Sequence, residues 1–452
     1  MTSLDLRVAV VGAGPAGIYA GNLLAGAVAE RGGAVAIDLF ESLPAPYGLI
    51  RYGVAPDHPR IKGIVTSLHE MLGAGTIRFL GNVEVGRDVS LAELHERYDA
   101  VVLATGAIRD AVLDVPGIRL PRSYGAADFV AWYDGHPDVP REWPLDAAEV
   151  AVIGNGNVAL DVARILAKHP ADLRTTEIPD NVLAGLEPSA VTDVHVFGRR
   201  GPQDIKFTPI ELRELGEVRD VDIVLYDEDF AHLDDWVAPN NQYKVMLRTL
   251  QQWRERETGA ASRRLHLHFY HAPVEVRGSS ESGVTGLRFE RTRPAADGSV
   301  SGTGELRDIP VQAVYRAVGY YGTPVVGAPF DEARGVVPNE AGRVSPSLYA
   351  TGWIKRGPVG LIGHTKSDAI ETIENLVADA EAGALTPRIV DADVRELLDE
   401  REIAYTTWDG WLALDAHERS LGRAHRHTRE RVKVVARDEQ TEIARSGALA
   451  GA

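Results

Sequence analysis

The sequence of 452 residues contains no cysteine. This absence excludes disulfide bonds, thiolate metal sites, iron–sulfur clusters held by cysteine and dithiol redox pairs. If the protein transfers electrons, a non-metal cofactor must carry them.

Excess positive charge and a convincing membrane span are lacking as well. Lys and Arg number 48 against 65 Asp and Glu, and the formal net charge of −17 argues against nucleic acid or an anionic membrane as the main partner. The uncharged stretch from residue 8 to residue 29 is long enough to imitate a span, but it contains five glycines and Pro15. We interpret it as a buried strand followed by an Ala-rich helix, and we expect a cytoplasmic protein without a targeting signal.

Glycine is abundant, with 45 residues, and it recurs in two similar motifs. Each motif follows a β-branched apolar run, in VAVVGAGPAGIYA and in VAVIGNGNVALDVARILA. The first position allows a tight turn, the second lets a pyrophosphate approach the backbone, and the third lets the helix pack close to the strand. One such match is weak, whereas two in one chain indicate two dinucleotide-binding units. The motif positions are Gly12, Gly14 and Gly17, and Gly154, Gly156 and Ala159.

Alternating strands and helices predict an α/β fold with parallel sheets and ligands at their carboxyl ends. We expect two Rossmann-like dinucleotide-binding domains: residues 107–323 form one domain, which is inserted into a discontinuous first domain of residues 1–106 and 324–452. Gly- and Ser-rich hairpin signals between His266 and Arg307 predict an antiparallel excursion. The basic run from Gly422 to Lys433 is interpreted as a solvated tail or helix face. The predicted strands are Val8–Val11, Val35–Glu41, Tyr98–Ala107, Val191–Arg200, Gln312–Gly322 and Ser347–Trp353.

In each of the two dinucleotide-binding units, the predicted strand that follows the glycine motif ends in charged residues, and the charges are opposite in the two units. Glu41 ends the strand that follows the first glycine motif, and an acid there accepts hydrogen bonds from ribose hydroxyls and repels a 2′-phosphate. Arg199 and Arg200 end the corresponding strand after the second motif, where guanidinium groups suit a 2′-phosphate or form ordinary surface salt bridges. Combined with the glycine motifs, this contrast predicts a flavoprotein supplied by NADPH.

Longer motifs make the chain similar to a known family, the adrenodoxin-reductase-like NADPH–ferredoxin reductases, which include the bacterial FprA-type enzymes. They follow one order over most of the chain, and the two most specific are GLIRYGVAPDHP and GWIKRGPVGLIG. The others are VVGAGPAGIYA, FLGNVEVG, IGNGNVALDVARIL, FGRRGP and IELREL.

The resemblance implies an FAD-binding domain of residues 1–106 and 324–452, an inserted NADP-binding domain of residues 107–323, and a set of residues around the two cofactors. His58 and Glu214 resemble a hydrogen-bonded pair beside the nicotinamide–flavin junction, although His58 also fits a purely structural turn histidine. The residues expected at FAD are Gly12, Ala13, Gly14, Pro15, Ala16, Gly17, Glu41, Leu49, Val85, Trp353, Gly360, Leu361 and Ile362. Those expected at NADP are Asn155, Gly156, Asn157, Val158, Arg199, Arg200 and Glu211.

The implied reaction is hydride transfer from NADPH to FAD, followed by single-electron transfer to an external ferredoxin. Because a ferredoxin is generally acidic, docking onto this acidic chain requires a local basic patch. Lys244 and Arg248 are four residues apart and would share one helix face, which is either that patch or an ordinary solvated surface.

Three other functions compete with this one. A dithiol reductase is excluded because cysteine is absent. A flavin monooxygenase is a distant alternative, since the chain contains no F-x-G-x-x-x-H linker motif. A sensor that binds FAD and NADP without turnover is the non-enzymatic alternative.

Overall fold

The computed structural model describes residues 4–58, 62–231, 233, 238–295, 298–358 and 362–450. The strands are β1 Asp5–Val11, β2 Ala34–Glu41, β3 Ile77–Gly81, β4 Ala100–Leu103, β5 Arg109–Asp110, β6 Ser123–Gly125, β7 Glu149–Ile153, β8 Asp193–Phe197, β9 Val221–Leu225, β10 Arg263–His268, β11 His271–Ser279, β12 Gly283–Pro294, β13 Val300–Ile309, β14 Ala313–Arg316, β15 Tyr320–Tyr321, β16 Arg343–Ser345 and β17 Leu348–Ala350. The α-helices are α1 Pro15–Glu30, α2 Leu49–Tyr52, α3 Val65–Gly73, α4 Leu91–Arg97, α5 Ala126–Tyr133, α6 Asn157–Ala167, α7 Asp180–Leu186, α8 Pro209–Gly216, α9 Asn241–Arg254, α10 Trp353–Arg356, α11 Ile362–Glu381, α12 Val394–Glu400, α13 Trp408–Ala424 and α14 Arg437–Ala450.

The chain divides into two compact units. The first consists of residues 1–109, 134–138 and 320–452, and the second of residues 110–133 and 139–319. The first unit is therefore discontinuous in sequence. Within the described ranges, no helix combines the length and the apolar composition needed to cross a membrane.

The first unit is built on a six-stranded sheet in the order β16-β17-β4-β1-β2-β3. All neighbours are parallel except β16 and β17. The central strand β1 is buried from Val8 to Val11, as expected for a parallel strand covered on both faces. Helix α1 begins with Pro15, which is well placed at a first helical position because its missing N–H would have no partner there.

The second unit combines two sheets. A six-stranded parallel sheet has the order β6-β14-β7-β8-β10-β9, and an antiparallel sheet has the order β11-β12-β13. An apolar core joins them, in which Ile153 and Phe197 of the parallel sheet pack with Leu287 and Phe289 of β12. The rings of Phe197 and Phe289 stack with centroids 4.0 Å apart.

Several strand predictions extend too far, as at Tyr98–Ala107, where β4 spans Ala100–Leu103, and two errors concern β8 and β10. The predicted antiparallel region begins too early, because the residues from Arg263 to His268 form β10, which pairs in parallel with β8 and β9. The strand predicted to end at Arg200 ends at Phe197, so that Arg199 and Arg200 lie in the following turn. Both errors arise because β propensity does not show where ladder pairing stops.

The basic run of residues 422–433 is not simply a solvated face, as the sequence suggested. Arg431 is 7% exposed and Lys433 is 4% exposed. Arg431 forms an ion pair of 2.5 Å with Asp415, and the Nζ of Lys433 donates to the backbone oxygen of Arg51 at 2.7 Å. These cations are buried because acceptors distant in the sequence compensate them.

Candidate functional site

The first glycine turn links β1 to α1 in the first unit. Gly12 has a φ of +108°, and a Cβ there would lie 2.5 Å from the backbone oxygen of Ala104. A Cβ on Gly17 would lie 1.9 Å from the oxygen of Gly12, so the turn and the helix leave no room for a side chain. A Cβ on Gly14, by contrast, would meet nothing within 4 Å. The space above Gly14 is therefore open to a ligand.

Helix α1 starts at this open position. Gly14 is its N-cap residue, and no side chain caps it. The free N–H groups and the positive dipole end of a helix favour an anion at such a position. Ala13, Pro15 and Ala16 complete the turn, and both alanines are buried.

Glu41 lies at the end of β2, next to the first turn. Its carboxylate accepts the backbone N–H of Ala13 at 2.8 Å and that of Leu43 at 3.1 Å. Burial raises the pKa of Glu41 above its ordinary value, and these hydrogen bonds oppose the shift. The hydroxyl oxygen of Thr105, directly after β4, is buried and has no hydrogen-bond partner among the described residues. An acid and a hydroxyl thus lie beside the turn.

The second glycine turn, between β7 and α6 in the second unit, repeats the arrangement of the first. Gly154 has a φ of +132°, and a Cβ there would lie 2.2 Å from the oxygen of Ala317. The space above Gly156 is open, since a Cβ on it would meet nothing within 4 Å. Asn155 Nδ2 and Asn157 Oδ1 are buried without a hydrogen-bond partner in the described part of the chain. Unsatisfied polar atoms in a polar turn are what a bound ligand would satisfy.

The tip of β8 lies beside this second turn. A Cβ on Gly198 would lie 2.8 Å from Asn155 Nδ2, which brings the following arginines close to the turn. Arg200 is half-buried, and its Nη1 donates to the oxygen of Gly298 at 3.0 Å. Arg199 is exposed, and its guanidinium forms no hydrogen bond or ion pair with any residue that the structure describes.

Comparison with known proteins agrees with this geometry. The model of the pyridine nucleotide-disulphide oxidoreductase family matches residues 6–195. The chain is 41% identical to the NADPH-ferredoxin reductase FprA of Mycobacterium tuberculosis, over 96% of this chain and 98% of the relative. It is 38% identical to the mitochondrial NADPH:adrenodoxin oxidoreductase of Bos taurus, over 94% of this chain and 90% of the relative. The chain belongs to this family of NADPH–ferredoxin and NADPH:adrenodoxin reductases.

A solved structure supports the same conclusion. The structure of Mycobacterium tuberculosis FprA in complex with NADPH matches with a TM-score of 0.90 at 40% identity, covering 97% of this chain and 99% of that one. The family and the α/β fold class predicted from the sequence are confirmed, as is the prediction of an oxidoreductase.

The remaining predicted FAD residues of this reductase lie in the first unit. Leu49 is the first residue of α2 and Trp353 the first residue of α10, and both side chains are half-buried, as is that of Val85. Ile362 is the first residue of α11. Gly360 and Leu361 lie outside the described residues.

The remaining predicted NADP residues lie in the second unit. Val158 is in the first turn of α6 and is half-buried. Glu211 is buried and completes a capping box at the start of α8, where its carboxylate accepts the backbone N–H of Thr208 at 3.1 Å. Its contact with NADP stays a prediction.

His58 and Glu214 belong to different units of the structure. His58 is 2% exposed in the first unit, and its backbone N–H donates to the oxygen of Ala55 at 3.0 Å. Glu214 is half-buried in α8 of the second unit. Their pairing therefore stays a prediction.

Two features escaped the sequence reasoning. The sequence did contain a signal for Thr105, because the tripeptide Ala-Thr-Gly occurs at the carboxyl ends of both β4 and β17, at residues 104–106 and 350–352. Arg51, within the GLIRYGV motif, forms a buried ion pair with Glu418 of α13, with Arg51 Nη1 3.0 Å from Glu418 Oε2. No local pattern could have shown a partner 367 residues away.

Proposed function

We propose that this reductase transfers electrons from NADPH to a ferredoxin-type protein, with FAD bound by the first unit and NADP(H) by the second. The sequence prediction, with residues 1–106 and 324–452 for FAD and residues 107–323 for NADP(H), differs from these units at residues 107–109, 134–138 and 320–323. The observation that carries the proposal is the pair of open glycine turns beside strand tips of opposite charge. The names of the relatives as NADPH–ferredoxin reductases, and the NADPH complex of the Mycobacterium tuberculosis protein, support it.

The residues of the first unit fit FAD. The open space above Gly14 can admit a pyrophosphate, which the uncapped start of α1 would stabilise. Glu41 is placed to accept hydrogen bonds from ribose hydroxyls, and its negative charge disfavours a 2′-phosphate. The buried hydroxyl of Thr105 supplies one further polar contact at the same turn.

The residues of the second unit fit NADP(H). The unsatisfied amide atoms of Asn155 and Asn157 flank the open space above Gly156. The exposed guanidinium of Arg199 is available for a charge-assisted bond to the 2′-phosphate, and that of Arg200 lies in the same turn. This arrangement favours NADPH over NADH.

When bound, FAD supplies the conversion of a two-electron hydride transfer into single-electron steps. The chain's own contribution is binding and orientation: the glycine turns hold the phosphates, while the half-buried Leu49, Val85 and Trp353 offer apolar contacts to the ring system. Hydride transfer itself requires no general acid, so His58 and Glu214 are assigned a positioning role.

The partner surface is assigned to α9. Lys244 and Arg248 are both exposed and lie one helical turn apart. In a chain with a net charge of −17, this local positive patch offers an acidic ferredoxin a site of opposite charge. A cytoplasmic location stays a prediction.

The function is tested by spectroscopy of the purified protein. Anaerobic NADPH should bleach the flavin absorbance, and added ferredoxin should then support cytochrome c reduction. Bleaching without electron transfer to any ferredoxin would favour the sensor. NADPH oxidation coupled to oxygenation of an organic substrate would favour the monooxygenase.

Nucleotide preference tests the assignment of the second unit. The double variant Arg199→Ala/Arg200→Ala should raise the KM for NADPH by about 100-fold, because each arginine contributes about 1.4 kcal/mol to binding of the 2′-phosphate. The use of NADH should stay almost unchanged. The effect should fall on KM, because the 2′-phosphate is bound equally in the ground and transition states. Arg213→Ala is the control, since Arg213 is an exposed arginine of the same unit. An unchanged NADPH/NADH ratio in the double variant would overturn the assignment.

A further inference from the structure

Three histidines of the second unit lie together on one face of the parallel sheet. His195 is on β8, and His266 and His268 are on β10, with His195 directly opposite His266 in the parallel register. Residues two apart on a strand point to the same face, so all three side chains share that face. One ring nitrogen of each lies within 4.8 Å of the others. We refer to these three residues as the histidine cluster.

The cluster is buried and incompletely satisfied. His195 is 7% exposed and His268 is 6% exposed. His195 Nδ1 and His268 Nε2 are 2.9 Å apart, a distance at which they share one proton. The other nitrogen of His195, Nε2, is buried with no hydrogen-bond partner among the described residues, and Glu149 Oε2 lies 3.8 Å from it. The hydrogen bonds of the cluster therefore leave one buried ring nitrogen unused.

His266 is oriented by oxygen partners on both sides. Its Nε2 lies 3.0 Å from Asp193 Oδ1, and its Nδ1 lies 2.9 Å from the hydroxyl of Tyr226. Whichever nitrogen binds a ligand, the other keeps a carboxylate or hydroxyl partner. This is the arrangement in which metal-binding histidines are usually held.

The charge around the cluster favours a cation. Asp193 and Glu149 supply two carboxylates, and Arg264 pairs with Asp193, with Arg264 Nη2 2.7 Å from Asp193 Oδ2. A metal ion is bound by the neutral imidazole, and carboxylates beside it offset the positive charge of the ion.

We propose that the histidine cluster binds a divalent transition-metal ion of the zinc class. Imidazole nitrogens select zinc and its neighbours over magnesium or calcium. A water molecule provides the fourth ligand. Glu149, whose side chain is 39% exposed, lies beside the opposite ring nitrogen of His195 and marks the route from solvent.

The required rearrangement is small. Two nitrogens that each lie about 2.0–2.1 Å from a tetrahedral zinc ion are separated by roughly 3.3 Å. His195 Nδ1 and His268 Nε2, now 2.9 Å apart, must therefore move apart by about 0.4 Å. The proton that they share moves to the second nitrogen of the ring that carried it, so that both rings stay neutral and offer lone pairs to the metal. The rings of His195 and His266 are stacked 4.2 Å apart and must also turn, which the broad terminal torsion of histidine allows.

Zinc binding by the intact protein tests the proposal. The flavin-loaded protein is treated with chelator and dialysed against zinc chloride, and bound zinc is measured by mass spectrometry. We expect one zinc ion per chain, with affinity reduced at least about 100-fold by His195→Gln or His268→Gln and by about 10- to 100-fold by Asp193→Asn. His169→Gln is the matched control, because His169 is a surface histidine of the same unit that lies beside Asp220.

A structural stack of neutral rings is the competing explanation, and two outcomes would establish it. One is that the unmodified protein binds no zinc, or that His169→Gln loses as much zinc as the cluster variants do. The other is that zinc binding survives in both cluster variants. Because buried substitutions can unfold a protein, the unmodified protein is also examined by zinc anomalous scattering in crystals. A peak about 2.0–2.1 Å from cluster nitrogens supports the proposal, and a peak elsewhere overturns it.

Discussion

The buried ion pair between Arg51 and Glu418 allows a quantitative prediction for Glu418→Gln. Arg51 Nη1 and Nη2 lie 3.0 Å and 2.5 Å from the two carboxylate oxygens, and the side chains are 4% and 0% exposed. Glu418 also accepts the backbone N–H of Val434 at 2.9 Å. One carboxylate thus joins the GLIRYGV motif, α13 and the segment that follows α13.

The magnitude follows from leaving Arg51 buried with a neutral partner. Burial acts to lower the pKa of Arg51, but the Glu418 carboxylate outweighs it, so the pKa is raised and the guanidinium stays charged. Removing one partner of a buried pair costs about 3–5 kcal/mol. Because Gln keeps one carbonyl oxygen as an acceptor, we expect a loss of about 3 kcal/mol, or roughly a 100-fold change in the folded-to-unfolded ratio.

The assay is urea denaturation of the flavin-loaded protein at neutral pH, monitored by flavin fluorescence and circular dichroism. Arg51→Met/Glu418→Gln should lose less free energy of unfolding than Glu418→Gln, because the unpaired guanidinium is removed while Gln still offers an oxygen to the N–H of Val434. Glu430→Gln is the control, since Glu430 is 65% exposed and its substitution should cost less than about 1 kcal/mol. A loss below about 1 kcal/mol for Glu418→Gln, or a larger loss in the double variant, would refute the reasoning.

Three further predictions concern the partner surface, pH and the first glycine turn. Lys244→Glu/Arg248→Glu should raise the KM for ferredoxin and abolish its salt dependence without slowing flavin reduction by NADPH, as stopped-flow kinetics would show. Burial raises the pKa of Asp110 to about 6, so the native state binds the proton more tightly than the unfolded chain does. The stability contributed by the protonated form is therefore lost as the pH rises through about 6. Asp110→Asn should therefore stabilise the protein by about 2 kcal/mol at pH 7.5 but by less than about 1 kcal/mol at pH 4, as measured by urea denaturation. Gly14→Ala should give folded protein depleted of flavin, whereas Gly12→Ala should impair folding itself; a Gly14→Ala protein with full flavin absorbance would contradict the phosphate assignment.

The features predictable from the sequence were those that local sterics determine. The two glycine turns could be placed from their motifs alone, since each turn demands a residue without Cβ, at Gly12 and at Gly154. The helix start at Pro15 and the apolar strand from Val8 to Val11 likewise follow from short-range rules. Glu41 was correctly placed at the end of β2, whereas Arg199 lies in the turn two residues after the end of β8.

The features that sequence reasoning missed depend on distant partners. A lysine in a basic run is expected at the surface. The burial of Lys433 depends on its acceptor, the backbone oxygen of Arg51, which lies 382 residues earlier in the chain. His266 and His268 were assigned to the start of a hairpin. An alternating apolar pattern fits a parallel strand equally well, so the pattern alone could not identify β10. The contact between His195 and His268 is likewise fixed by strand order, which no pattern within either strand reveals.

The discontinuity of the first unit affects how the chain matures on the ribosome. Strand β4 ends at Leu103, and its sheet neighbour β17 begins at Leu348, about 245 residues later. At about 5–20 residues per second, the ribosome needs roughly 12–50 s to deliver β17, while the second unit is complete in sequence earlier. During that interval the nascent sheet ends at β4, whose residues Val101 and Leu103 become fully buried only in the finished protein. A growing chain with such an open apolar edge is a natural substrate for chaperones, and its yield should depend on translation speed more than that of a protein with contiguous domains.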